Sequence, residues 1–132
     1  MGYIRGVSLF AAVLTAGACC EATISSASQK VQSAARARHD GVYAVDVFTH
    51  QGACDSVYHW TITVLRGRVS SPADGFMQAS GEITPRGVVS LAFRRDNQVA
   101  TVAGKVKGKV ATGIWSSPTL QCAGSWRAVR QG

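Results

Sequence analysis

The stretch Tyr58-His59-Trp60-Thr61-Ile62-Thr63-Val64 alternates large apolar side chains with polar ones without a break. Successive side chains of a strand point to opposite faces. Tyr58, Trp60, Ile62 and Val64 therefore share one face, and His59, Thr61 and Thr63 share the other, as in a half-buried strand. The same period recurs upstream, where Tyr43, Val45 and Val47 alternate with Val42, Ala44 and Asp46. Downstream, Val89, Leu91 and Phe93 alternate with Ser90, Ala92 and Arg94.

Turn signals separate these runs at Arg66-Gly67, Pro85-Arg86-Gly87, Asp96-Asn97 and Gly108. Gly and Asn accept the positive φ that tight hairpins demand. The pattern predicts eight strands near 41–49, 57–65, 68–71, 75–83, 87–94, 98–106, 109–116 and 121–130, each joined to its sequence neighbour. A two-residue turn at Lys107-Gly108 sets Val106 opposite Lys109 and keeps Trp115 inside, whereas a three-residue turn flips Trp115 outward. The cost of exposing a Trp decides for the first.

Composition agrees with an all-β reading. The 132 residues are 46% hydrophobic and 16% charged, which excludes disorder throughout and leaves room for one domain. Fourteen Gly against three Pro suit many tight turns rather than a helical bundle. Gly41-Val42-Tyr43, Gly113-Ile114-Trp115 and Gly124-Ser125-Trp126 form a weak repeat, Gly-x-aromatic, in which the glycine leaves space for a ring. Its presence on the first and last strands makes them neighbours, and a meander whose ends meet is a small closed barrel without exposed edges. Cys54, after the first strand, and Cys122, opening the last, then meet at one rim as a disulfide.

Ahead of this barrel domain, residues 40–132, stand two segments. Residues 1–22 carry Arg5, then a mostly apolar run to Cys20, then small residues, the layout of a secretory signal peptide too short for a comfortable membrane span. Cleavage after Ala22 removes Cys19 and Cys20 together and leaves one cysteine pair. Cleavage after Ala18 leaves Cys19 as a lipoprotein anchor, with Cys20 an odd thiol in an oxidising compartment. Parity favours the first. The expected location is periplasmic or secreted, with no transmembrane span in the mature form. Residues 23–39 read as a polar, basic, mobile linker.

Asp40-Gly41-Val42-Tyr43, Gly52-Ala53-Cys54-Asp55 and Cys122-Ala123-Gly124-Ser125-Trp126, with Gly113-Ile114-Trp115 between them, resemble a group of small exported bacterial proteins without assigned function. A D-G-x-W start, a G-x-C-D and a closing C-x-G-x-W recur in them. Tyr43 stands here where Trp is usual. The resemblance covers residues 40–130 and implies a fold and a compartment but no activity. More distantly, the architecture is similar to calycin-type barrels and to exported metalloprotease inhibitors, an analogy that does not carry function.

Candidate chemistry is sparse. The serines form neither a G-x-S-x-G elbow nor an S-x-x-K motif, and no glycine-rich loop leads into a helix to cradle phosphate. No catalytic residue, metal site or cofactor is expected. His50, Asp55 and His59 fall close together around the first connection, but their spacing matches no ligand motif, and solvent-exposed histidines are the plainer reading. Cys54 beside Asp55 reads as a disulfide partner rather than a nucleophile. Arg94, Arg95, Lys105, Lys107 and Lys109 gather at two turns on either end of the sixth strand, and the net charge is +7. Nucleic-acid binding would need stacking rings on the same surface, and the rings fall on the inner face. Attraction to an anionic envelope surface, or plain solubility, explains the charge more simply.

Tyr43, Tyr58, Trp60, Trp115 and Trp126 are the interior aromatics and the candidate lining of any ligand site. Large rings beside Gly81, Gly113 and Gly124 suggest a filled interior. On that ground the expected function is an exported, non-catalytic module that binds a protein or envelope surface through the loop holding His50 and Asp55. The alternative is a small-ligand carrier using the barrel interior. Mass spectrometry of the protein from its native host should find a chain starting at or near Thr23. Intact Met1 in the cytosol would refute export, and a diacylglycerol mass on Cys19 would select the anchored form.

Overall fold

The alternating runs form strands and the turn signals join them in the computed structural model of the chain, which describes residues 21–70 and 77–132 with Gly2, Ala12 and Gly17. A helix α1 (Glu21–Arg36) precedes β1 (Gly41–Gln51), β2 (Val57–Leu65), β3 (Arg68–Ser70) and β4 (Gln78–Ile83). β5 (Val88–Arg95), β6 (Gln98–Lys107), β7 (Val110–Ser117) and β8 (Cys122–Gln131) follow. All pair antiparallel in sequence order, and β8 returns to β1 to close the barrel. Most of the expected signal segment, and the start expected for the fourth strand at 75, lie outside the described residues. Among the described residues no helix is long and apolar enough to cross a membrane.

Two local expectations need correction. Most of the linker expected to be mobile is helical, because Glu21–Arg36 contains no Gly or Pro and is rich in Ala, Gln, Lys and Arg. The β6–β7 turn is also displaced by one residue on each strand: Lys107 faces Val110 and Val106 faces Ala111, so Gly108-Lys109 is the turn. Gly108, with φ 65°, takes the first turn position that an L side chain resists, as in a type II′ hairpin. The parity is unchanged, and Trp115 still points inward, 7% exposed.

The Gly-x-aromatic repeat works across strands rather than along them. Gly113 faces Trp126 and Trp115 faces Gly124, so each ring lies over its partner strand's glycine. A Cβ on Gly124 would collide with the Phe48 carbonyl oxygen, and one on Gly104 with the Trp126 ring. The Trp115 indole Nε1 donates to the Phe48 carbonyl at 3.0 Å, reaching across β8 to β1. The Trp126 Nε1 donates to the carbonyls of Ala103 and Ile114, each at 3.2 Å. Two indoles thus tie β6, β7, β8 and β1 together.

The barrel has unlike ends. Where β1 begins and β8 stops, the Asp40 carboxylate accepts from the amides of Arg66 (2.7 Å) and Gly67 (3.0 Å). Ile83 N donates to Gly67 O, Val106 N to Gly87 O and Arg130 N to Lys109 O, so the turns at this end are stitched to one another. Beneath them Tyr43, Val64, Val69, Ile83 and Val89 are buried. The Tyr43 hydroxyl donates to the His39 carbonyl at 2.7 Å. Burial pushes the Tyr43 phenol above its ordinary pKa, outweighing the nearby Arg130 guanidinium. The neutral phenol therefore contributes stability that is whole below pH ~10 and is lost as pH climbs through the folded value.

At the opposite end the Cys54–Cys122 disulfide joins the β1–β2 loop to β8, with Cα atoms 6.2 Å apart and a sequence separation of 68. A loop of that size is worth about 4 kcal/mol in the chain-entropy account. Replacing both cysteines by serine should lower the melting temperature by roughly 15–30 °C for a domain this size while the far-ultraviolet spectrum stays β-type. An unchanged melting temperature would show that the bond adds nothing to closure.

Candidate functional site

The open end is where inward rings meet one another around a space instead of filling it. Tyr58 and Trp60 are two residues apart on β2, so both point inward, and their ring centroids lie 5.9 Å apart. Trp60 meets Phe93 of β5, at 5.0 Å and 44°, although β2 and β5 are not paired strands. All three rings, with Trp115 and Trp126 on the other wall, surround a cavity of about 450 Å³. Val45, Val47, Leu91 and Val102 complete the walls, and Met77 and Leu120 also line it. The expected filled interior is corrected by this space. Rings over glycines fill the barrel only along β6–β8 and leave its open half hollow.

The cavity's chemistry is divided by depth. Both deep indoles spend their N–H on backbone carbonyls and present carbon to the cavity. Among the described residues no buried side-chain nitrogen or oxygen lacks a partner, so the interior offers no stranded donor or acceptor. Polar lining is supplied by Asp55, Arg95 and Gln98, all beside the β1–β2 and β5–β6 connections. An apolar interior with polar groups at the entrance favours a ligand with an apolar body and a polar end.

The rim is held in shape. Thr49 Oγ1 donates to the Asp55 carbonyl at 2.6 Å, and the Asp55 amide donates to the Tyr58 hydroxyl at 3.0 Å. Both disulfide cysteines line the cavity. Across the mouth, Ser117 is buried and its hydroxyl donates to the Val99 carbonyl at 2.7 Å, while Val99 N donates to Thr119 Oγ1 at 3.0 Å. These bonds fix the β7–β8 connection against the start of β6.

Of the residues singled out from sequence, Tyr58, Trp60, Trp115, Trp126 and Asp55 are brought together around this cavity, with Cys54 and Cys122. Tyr43 is not among them: it is sealed at the far end, 1% exposed. Trp60, expected in the interior, points inward but is only half-buried because it stands at the hollow end. His50 and His59 point away from the interior and from each other. His50 Nε2 meets Ser125 Oγ at 2.7 Å, and His59 Nδ1 meets Asp46 at 2.6 Å. Among the described residues no group of three or more His, Cys, Asp or Glu side chains converges.

Sequence reasoning overlooked Met77, Arg95 and Gln98 as lining residues. Arg95 and Gln98 were within reach. The Asp96-Asn97 turn they flank falls, by counting strands along a meander, at the same end as Cys54 and Cys122. Met77 was within reach too: it falls in the strand expected at 75–83, with the parity of the buried Ile83.

Neither family models, nor curated proteins, nor solved structures provide a match to this chain. The site must be read from its own geometry. Iodide should quench the emission of Trp60 and spare Trp115 and Trp126, and Trp60→Phe should remove most of the quenchable component. Equal quenching of all three would contradict the inward placement of the two deep indoles.

Proposed function

We propose that this is an exported, non-catalytic barrel that binds a small, largely apolar molecule in its open half. The observation that carries the reading is the cavity of about 450 Å³ walled by Trp60, Phe93, Trp115 and Trp126. Its volume falls within the range of small-molecule sites, which are mostly apolar with a few polar groups for orientation. An eight-stranded barrel is wide enough to hold one such molecule. The hydrogen-bonded rim supports the same reading, since a preformed site loses little freedom on binding. The intramolecular disulfide suits an oxidising compartment, either in free form or anchored through Cys19.

Partner binding through the loop from His50 to Ser56 is the second reading. Its support is that this loop is displayed on a scaffold pinned by Cys54–Cys122 and by the Thr49–Asp55 bond. The dense-packing argument that had put it first no longer holds.

An environment-sensitive naphthalene dye should bind the native protein saturably at one site. Ala100→Phe, which places a ring in the cavity, should weaken it at least about tenfold, or ~1.4 kcal/mol. Native mass spectrometry of material from the host should find a co-purifying small molecule. Dye binding indifferent to Ala100→Phe, together with a protein partner lost on substituting residues 50–56, would transfer the function to the loop.

A further inference from the structure

We propose that the closed end of the barrel is a docking face for the anionic phospholipid surface of a bilayer, independently of what the cavity binds. The meander brings alternate turns to one end, and here the turns are basic. The β6–β7 hairpin carries Lys105, Lys107 and Lys109, all exposed. The β2–β3 turn carries Arg66 and Arg68, and the β4–β5 turn carries Arg86. Hydrogen bonds between Ile83 and Gly67, Val106 and Gly87, and Arg130 and Lys109 hold these turns side by side. Arg38 also belongs to this end, since its guanidinium donates to the Pro85 carbonyl at 3.4 Å.

Few acids oppose them. Asp40 is occupied by the two amides of the β2–β3 turn, and Glu82 faces Arg68 across the β3–β4 pairing. At the open end Arg94 and Arg95 stand with Asp55 and Asp96, and midway Asp46 faces Arg127. Among the described residues, the seven cations named at the closed end thus stand against two acids, Asp40 and Glu82, whereas the charges named elsewhere on the barrel balance. A field so arranged orients the molecule as well as attracting it.

Exposed aliphatic side chains identify the partner. Leu65 is 65% exposed and faces Arg68 across the β2–β3 hairpin, and Val88 is 48% exposed and faces Lys105. Cations interleaved with exposed aliphatics suit the boundary between headgroups and acyl chains, where both find partners. A nucleic acid would instead be met by stacking rings, and the ring nearest this end, Tyr43, is 1% exposed. Docked this way, the barrel lies with the disulfide rim and cavity mouth turned away from the membrane. The chain also enters the barrel from the bilayer side, at Gly41.

Co-sedimentation of the full chain with vesicles tests this. Binding to phosphatidylglycerol in a phosphatidylcholine background should exceed binding to pure phosphatidylcholine at least about tenfold and collapse at about 0.5 M salt. Lys107→Gln should weaken it about fivefold and the triple change Lys105→Gln, Lys107→Gln, Lys109→Gln about a hundredfold. Arg94→Gln, the same charge change at the other end, should leave it unaltered. The apolar segment 1–22 is common to every variant and both compositions, so the differences report the cationic end alone. Equal binding to neutral vesicles, or equal losses from Arg94→Gln and Lys107→Gln, would overturn the proposal. So would lysine-dependent binding of duplex nucleic acid or an acidic polypeptide without binding to anionic vesicles. None of these results bears on dye binding in the cavity.

Discussion

The reciprocal seating of Trp115 over Gly124 and Trp126 over Gly113 is the arrangement on which the rest of the barrel depends. A Cβ on Gly124 would strike the Trp115 indole and one on Gly104 the Trp126 ring, and neither indole N–H is tolerable in an apolar interior without an acceptor. Both conditions are met by backbone, through the carbonyls of Phe48, Ala103 and Ile114. The Phe48 contact crosses from β7 to β1, next to the irregularity between Thr49 and Gln51, and so bears directly on closure. The same two rings form the far wall of the cavity. Structural closure and the shape of the cavity therefore share one pair of side chains.

The two ends of the barrel solve different problems. At the closed end, the Asp40 carboxylate and the inter-turn backbone hydrogen bonds satisfy the amides of the turns, while the lysines of the β6–β7 hairpin face outward. At the open end, the disulfide and the Ser117 and Thr49 bonds fix the shape of the rim around the cavity. Aliphatic residues fill the first half of the interior. In the second half, the tilted Tyr58, Trp60 and Phe93 rings leave the middle vacant. A pocket at one pole and a cationic surface at the other give the molecule a direction, which a uniform barrel of the same size would lack.

Much of this was legible in the order of residues because a strand's period of two is local and strict. The strand positions, the meander, the pairing of the first and last strands and the cysteine bond all follow from alternation, turn residues and counting. What escaped depends on distances between strands that are not sequence neighbours. Whether Trp60 and Phe93 close the interior or frame a space is decided by how far apart β2 and β5 stand, and no pattern along either strand encodes that. Tyr43 shares its period with the lining rings but belongs to the sealed half, because its height along the barrel axis, rather than its face, determines what it touches. The helix of residues 21–36 illustrates the converse. Its composition carried a helical preference, yet with so few aliphatic residues it gave no sign of a face to pack.

The order of assembly follows from the topology. Every pairing but one joins strands adjacent in the chain, through connections short enough to close quickly. The exception is β1 with β8, whose partners lie at opposite ends of the domain, as Val42 and Gln131 do. Such a contact brings its entropic cost before its reward and is expected to form last. Cys54 and Cys122 face each other only once that seam has joined. A nascent or damaged chain with an open seam keeps these two thiols separated and exposed to exchange, and in a finished one neither is free. Oxidation thus becomes a chemical record that folding is complete, written by the same cross-link that afterwards keeps the seam from reopening.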